Sequence, residues 1–192
     1  HNSGQTWEKS TDLPDFSGKT TLEFYRSDPN IIYASVADSA YGMGLYRSVK
    51  FGSRWEWLHK RDVPEKQGWF SHWVSVHPLD SSRVIHAGVA LYNTRNGGRE
   101  LGTPATNVHV DHHCFVHDLA SPDILYIGCD GGVYKTDDFS NRFTNIGYGL
   151  QTSQFYNGFS SSIWDSTLAI GGLQDNNTAI FRGTKDWQTA LP

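Results

Sequence analysis

The sequence predicts an all-β chain, a β-propeller built of four-stranded antiparallel blades with about four blades in its 192 residues. Three observations carry that prediction. Short apolar runs bounded by turn residues recur along the chain, with no stretch of helical periodicity. A glycine-centred turn word returns at nearly even spacing. A Pro-containing turn, an apolar strand and a small residue precede several of these words.

The clearest unit runs from His109 to Leu150. An apolar run with polar edges (Val110 to Asp118) meets a Ser-Pro-Asp turn. A second run (Ile124 to Gly128) meets an Asp-Gly-Gly turn, and Val133-Tyr134-Lys135-Thr136, a polar turn and Phe143 follow. That is a meander of four short strands. Its turn word, Thr136 through Asp138 and Ser140 to Phe143, has counterparts around Gly4 with Trp7, around Ser48, Gly52 and Trp55, and around Thr94 and Gly98. Positions 4, 52, 98 and 140 lie 48, 46 and 42 residues apart, and Arg182 to Trp187 is a shortened echo. A period of this length holding four short strands is that of a propeller blade.

The strands ahead of each word also match. Ile31 to Ala34, Val84 to Gly88 and Ile124 to Gly128 read as second strands; Gly44 to Ser48, Leu91 to Thr94 and Gly132 to Thr136 read as third strands. The last unit is looser, with Leu168 to Gly172 and Thr178 to Arg182. Residues 1–192 therefore read as part of one propeller domain, with the tail of one blade at 1–19 and blades at about 20–58, 68–101, 108–145 and 153–187. A chain that starts inside a turn word and holds four blades is expected to be a piece of a longer propeller of six to ten blades. A self-closed four-bladed ring and a ring closed by two copies are the alternatives.

The turn words resemble the Asp-box, or BNR repeat, of pattern Ser-x-Asp-x-Gly-x-Thr-Trp. It is found in sialidase-like propellers, sortilin-type receptor domains and the xyloglucanase family of glycoside hydrolases. The pattern has a physical logic: a hydroxyl or carboxylate satisfies turn donors, glycine takes a positive φ, and the aromatic fills the gap between sheets. Most copies here are eroded. Lys50 stands at the carboxylate position, Asn2 and Asn96 are its amides, Ser140 replaces the glycine, and only Asp138 keeps the acid. The resemblance implies a secreted or cell-surface protein, in which Ser48, Gly52, Trp55, Thr94, Gly98, Thr136, Asp138, Phe143 and Trp7 are scaffold.

Composition narrows the function. With 38% apolar and 14% aromatic residues the chain can bury a core. Sixteen Lys and Arg against 20 Asp and Glu give a net charge of −4, and no basic run exceeds Lys60-Arg61. No nucleic-acid partner is expected. No apolar stretch is long enough to insert in a membrane. The two cysteines, Cys114 and Cys129, face each other if the hairpin turn centres on Ser121-Pro122, which leaves open a disulfide or two packed thiols.

In a blade the first strand lines the channel, so the approach to it and the turn between strands two and three open on one face. That face gathers the candidate site residues. His109, Asp111 and His113 alternate along the expected inner strand of the third blade, and Asp130 sits in its Asp-Gly-Gly turn. The three strand residues would span about 13 Å, too far for one metal ion, and no metal or cofactor is expected. The His-x-Asp-His-His run at 109–113 and the Gly-Gly-Leu-Gln-Asp-Asn-Asn run at 171–177 both resemble sortilin- and xyloglucanase-type propellers. The second places Gln174, Asp175 and Asn176 on the same face. Trp69, Trp73, Tyr148 and Tyr156 lie near the blade entrances, and residues 38–44 are a long turn able to reach over the channel. Amides and carboxylates beside aromatic rings suit sugar hydroxyls and sugar faces. The function expected is thus a scaffold that binds a glycan or protein partner. The alternative is a xyloglucanase-type glycoside hydrolase acting on a β-glucan with Asp111, Asp130 and Asp175 as candidate acids, and a third reading is a purely structural element.

Overall fold

A computed structural model describes residues 3–10, 12–14, 18–37, 44–150 and 153–190. The described residues are all-β, with no helix. Two compact units form, His1–Ile146 and Gly147–Pro192.

The first unit holds three antiparallel sheets. In the first, β1 (Lys19–Phe24), β2 (Ile32–Ala37), β3 (Gly44–Ser48) and β4 (Glu56–His59) pair in chain order. The second comprises β5 (Trp73–Val76), β6 (Val84–Ala87) and β7 (Leu91–Thr94); the third comprises β8 (His112–His117), β9 (Leu125–Cys129), β10 (Gly132–Thr136) and β11 (Thr144–Asn145). The second sheet thus has three strands rather than the expected four. Its outer edge is still covered, because Gly102 N–H and Ala105 N–H donate to Asn93 O and Leu91 O at 2.9 Å each. Pro104, between these two donors, has no N–H to extend the ladder.

The turns between the first two strands share one device. Asp28, Asp80 and Asp118 each accept, through Oδ1, the N–H two residues on, at 2.8–3.0 Å. The second unit repeats it, Thr167 N–H donating to Asp165 Oδ1 at 2.8 Å. An aspartate that closes its own turn needs no outside partner, which lets the strands on either side run apolar into the core.

Strand alternation sends each sheet's two faces to different neighbours. Tyr33 and Leu45 of the first sheet pack against Val74, Val76 and Val84 of the second. Ile85, Ala87 and Leu91, on the opposite face of the second sheet, pack against Leu125 and Ile127 of the third, with Phe139 and Phe143. The core is therefore two seams between successive sheets, with a third cluster of Ala34, Val36 and Tyr46 on the other face of the first sheet, against which Leu13 and Trp55 pack. Full burial of a side chain such as Leu125 or Ile85, both 0% exposed, contributes about 1.5–3 kcal/mol.

The second unit is one sheet of β12 (Phe155–Ser161), β13 (Ala169–Leu173), β14 (Thr178–Phe181) and β15 (Gln188–Thr189), with a register shift in β12 between Phe155 and Phe159. Trp187 packs, with tilted ring planes, among Phe155, Phe159 and Phe181 at centroid distances of 5.3–6.1 Å.

Candidate functional site

The site of the first unit is knitted from backbone. At the end of the second and third sheets that carries the β6–β7 and β9–β10 turns, His112 N–H donates to Gly88 O (2.9 Å) and Asp111 N–H to Val89 O (3.2 Å). Asp130 N–H donates to Asp111 O (3.2 Å), and Val89 N–H reaches Val63 O (3.0 Å). Gly88 is required here, since a Cβ would lie 2.6 Å from Val63 O. These bonds fix the approach to β8 against the turns beside it, so its side chains start from a rigid frame.

On this frame His113 Nε2 lies 2.6 Å from Asp130 Oδ1, placed to donate a charge-assisted hydrogen bond to the carboxylate. Phe70 sets its edge on the His113 ring at 4.9 Å, and Trp69 packs on Phe70 at 5.4 Å while remaining 76% exposed. Ser71 Oγ donates to Asp111 Oδ1 at 3.2 Å. His109 lies over Gly131, leaving no room there for a Cβ, and its Nδ1 is 3.1 Å from Val110 O. Trp73 opens β5 and is half-buried.

His109, Asp111 and His113 do not alternate along one strand as the sequence suggests. The strand starts at His112, Asp111 takes a left-handed φ of 62°, and the register shifts between His112 and Cys114. A bulge at this point turns residues that a regular strand would place on one side onto different partners. His112 instead is buried, its Nδ1–H donating to Gly88 O at 2.8 Å, and burial pulls its pKa down to about 4.

The same shift corrects the cysteine register. Cys114 pairs with Gly128, and Cys129 with His112, so the two cysteines are one position out of register; both are free thiols. Cys114 Sγ lies 2.6 Å from where a Cβ on Gly128 would be, so that position has no room for a side chain. Burial pushes the Cys129 thiol up to about 11.

The second unit carries the other residues. Gln174 Nε2 donates to Asp175 Oδ2 (2.7 Å), Asn176 Nδ2 to Gln174 O (3.0 Å), and Gln174 N–H to Gln154 O (2.8 Å). Asp175 and Asn177 take positive φ, 56° and 63°, in the turn between β13 and β14. Tyr156 and Tyr148 are exposed. Residues 38–43, most of the expected reaching turn, lie outside the described residues, as does Asn2. Among the described residues no group of three or more His, Cys, Asp or Glu is placed to hold a metal ion.

At the opposite end of the sheets the β3–β4 turn and its counterparts share one geometry. Ser48 Oγ accepts from Gly52 N–H (2.9 Å), Thr94 Oγ1 from Gly98 N–H (3.3 Å) and Thr136 Oγ1 from Ser140 N–H (3.2 Å). Asn96 Oδ1 and Asp138 Oδ1 each accept two further N–H groups, from Arg99 and Glu100 and from Asn141 and Arg142. Two successive left-handed residues appear in every copy: Ser3-Gly4, Phe51-Gly52, Gly97-Gly98 and Phe139-Ser140. Phe143 is buried, but Trp7 is 89% exposed and packs over Gly4 rather than between sheets. No described sheet covers it.

Sequence reasoning did not single out Phe70 and Ser71. Their signal was their place between Trp69 and Trp73, in an aromatic run directly ahead of a first strand.

The four antiparallel sheets define the class: the fold is a β-propeller. Among solved structures, the chain is similar to an ancestral GH74 enzyme (TM-score 0.52, 15% identity, over 88% of this chain and 25% of that one). It is also similar to the GH74 enzyme of Niastella koreensis (TM-score 0.52, 17% identity, over 89% and 30%). The chain thus spans less than a third of the length of these structures. No family model matches the sequence, and no curated protein matches it.

Proposed function

We propose that this chain is part of a secreted or cell-surface propeller that serves as a scaffold, binding a glycan or protein partner at the mouth formed by residues 69–71, 109–113 and 130–131. The observation that carries the reading is the exposed Trp69 ring beside the fixed His113–Asp130 pair. An apolar ring face next to oriented donors and acceptors is what a pyranose ring or a peptide side chain needs. The remaining blades of a longer parent chain would complete the channel, with neither nucleic acid nor membrane insertion involved. Gln174, Asn176, Tyr156 and Asp175 of the second unit are assigned to the same function. The β3–β4 type turns are read as eroded Asp-boxes; the shared hydroxyl acceptors and paired left-handed residues support this.

The test is calorimetric titration with β-1,4-glucan and xyloglucan oligosaccharides. Binding that weakens about tenfold or more in Trp69→Ala and in His113→Ala, with unchanged melting temperature, is expected. No binding of glycans or of protein from the same surface would leave a purely structural element.

A second reading, a xyloglucanase-type glycoside hydrolase, is favoured by the two carboxylates Asp111 and Asp130 at one mouth and by the GH74 neighbours. Release of reducing ends from xyloglucan, abolished in Asp130→Asn, would select it over the scaffold.

A further inference from the structure

The seam between the first two sheets contains a chain of hydrogen bonds with one possible direction. Arg61 N–H donates to His59 Nδ1 (3.1 Å), so the neutral His59 ring carries its proton on Nε2. That nitrogen is 3.3 Å from His86 Nδ1, which must accept; His86 is then protonated on Nε2, 2.8 Å from Ser35 Oγ. Ser35 in turn gives its single hydroxyl proton to His72 Nδ1 at 2.9 Å. Every link is fixed by the one before it. Ser35, His72 and His86 are at most 1% exposed, and His59, at the outer end, is partly open to solvent.

We propose that this chain is a proton-sensitive latch, which holds the first and second sheets together only while its three imidazoles are neutral. A proton added to His59 would set an N–H against Arg61 N–H. Added to His86, it would set an N–H against the N–H of His59. A proton on His72 leaves the Ser35 hydroxyl without an acceptor. No member can take a charge without breaking a link. The charged groups that act on the chain are Arg61 at His59 and Lys19 at His72, both positive, besides the imidazoles themselves; a backbone contact with Lys19 acts the other way at His72 but is outweighed by burial. Glu23, on the β1 face that packs toward the same seam, is pushed up to about 7 by burial, with the Arg26 charge pulling the other way. The remainder of the seam is Tyr33, Leu45, Val74, Val76 and Val84, which solvate no ion. The bidentate pair of Arg99 with Glu56 (2.6 and 3.0 Å) joins the same two sheets at the rim.

Imidazole ¹⁵N spectra of the whole chain at pH 7.5 test the direction, with Nε2–H tautomers expected at His59, His86 and His72. Amide exchange, corrected for its intrinsic pH dependence, tests the latch. Protection in β2 and β6 should fall by at least tenfold per pH unit as protons are taken up below about pH 6, while β13 in the second unit changes far less. In His59→Gln the side-chain amide N–H can donate to His86 Nδ1 as the ring did, and the proton uptake on opening should drop by about one. An Nδ1–H tautomer at His59, or β2 and β6 protection independent of pH between 7.5 and 4.5, would overturn the proposal even if the variant failed to fold.

Discussion

Ser140 holds a backbone position with φ of 86° that Gly52 and Gly98 fill in the sister turns. A side chain there is strained, by roughly 1 kcal/mol or more. Ser140→Gly is therefore expected to leave stability unchanged or raise it by up to about 1 kcal/mol in denaturant titration. Gly52→Ala and Gly98→Ala should both destabilise. Gly98→Ala should do so more, because its Cβ would lie 2.7 Å from Leu45 and 2.8 Å from Leu58, whereas at Gly52 the contacts are 3.7 Å or longer. The turn words themselves were legible because a hydroxyl, a left-handed pair and an acid or amide must fall at fixed offsets for the donors to be met. The bulge at His113 was not, since nothing in a His-x-Asp-His-His run marks which residue leaves the ladder. Its consequence for the thiols is checked by mass: reduction should leave the intact mass unchanged, and the exposed Cys114 should alkylate faster than the half-buried Cys129, whose thiol burial pushes up to about 11.

Between elements, second and third strands were readable and fourth strands were not. β2, β6 and β9 carry continuous or alternating apolar residues that must fill the seams. By contrast β11 and β15 are two exposed residues each, too short to impose a period. In the second sheet Pro104 removes the fourth strand while two backbone bonds keep the edge covered. The seams make a quantitative claim. Leu125→Ala removes a side chain shared by the second and third sheets and should cost about 2–5 kcal/mol, read as a lowered denaturation midpoint. Asp80→Ala, which loses the turn acceptor for Ser82 N–H and Oγ, should cost about 1 kcal/mol.

At the scale of the molecule, histidine is the main buried titratable residue. His59, His72, His112 and His117 are all drawn down to about 4, chiefly by burial. Their folded pKa lies below the unfolded value of 6.5, so the unfolded chain binds more protons between the two. Stability is whole above pH 6.5 and is lost as pH falls toward 4, by roughly 2–3 kcal/mol for a fully buried ring such as His72 or His112. Glu23, raised by burial to about 7, acts the other way: its contribution is present below its unfolded value of 4.5 and is lost as pH rises through 7. Several rings outweigh one carboxyl, and the melting temperature should fall between pH 7 and 4.5. The burial of His112, on the strand face opposite its neighbours, was legible in the sequence; those of His59, His72 and His117 were not, because a histidine in an apolar strand and one at a wet mouth are written alike. The mouth was partly legible, in the aromatic run at 69–73 and the acid of the β9–β10 turn, while the pairing of His113 with Asp130 needed the bulge.

The proposed function puts partner binding at this mouth and not at the turn-word end of the sheets. Backbone chemical-shift mapping during titration with xyloglucan oligosaccharides addresses it directly. Perturbations should concentrate at residues 69–73, 109–113 and 130–131 and be removed by Trp69→Ala. Perturbations confined to residues 93–102 at the opposite end, with residues 69–73 unmoved, would contradict it.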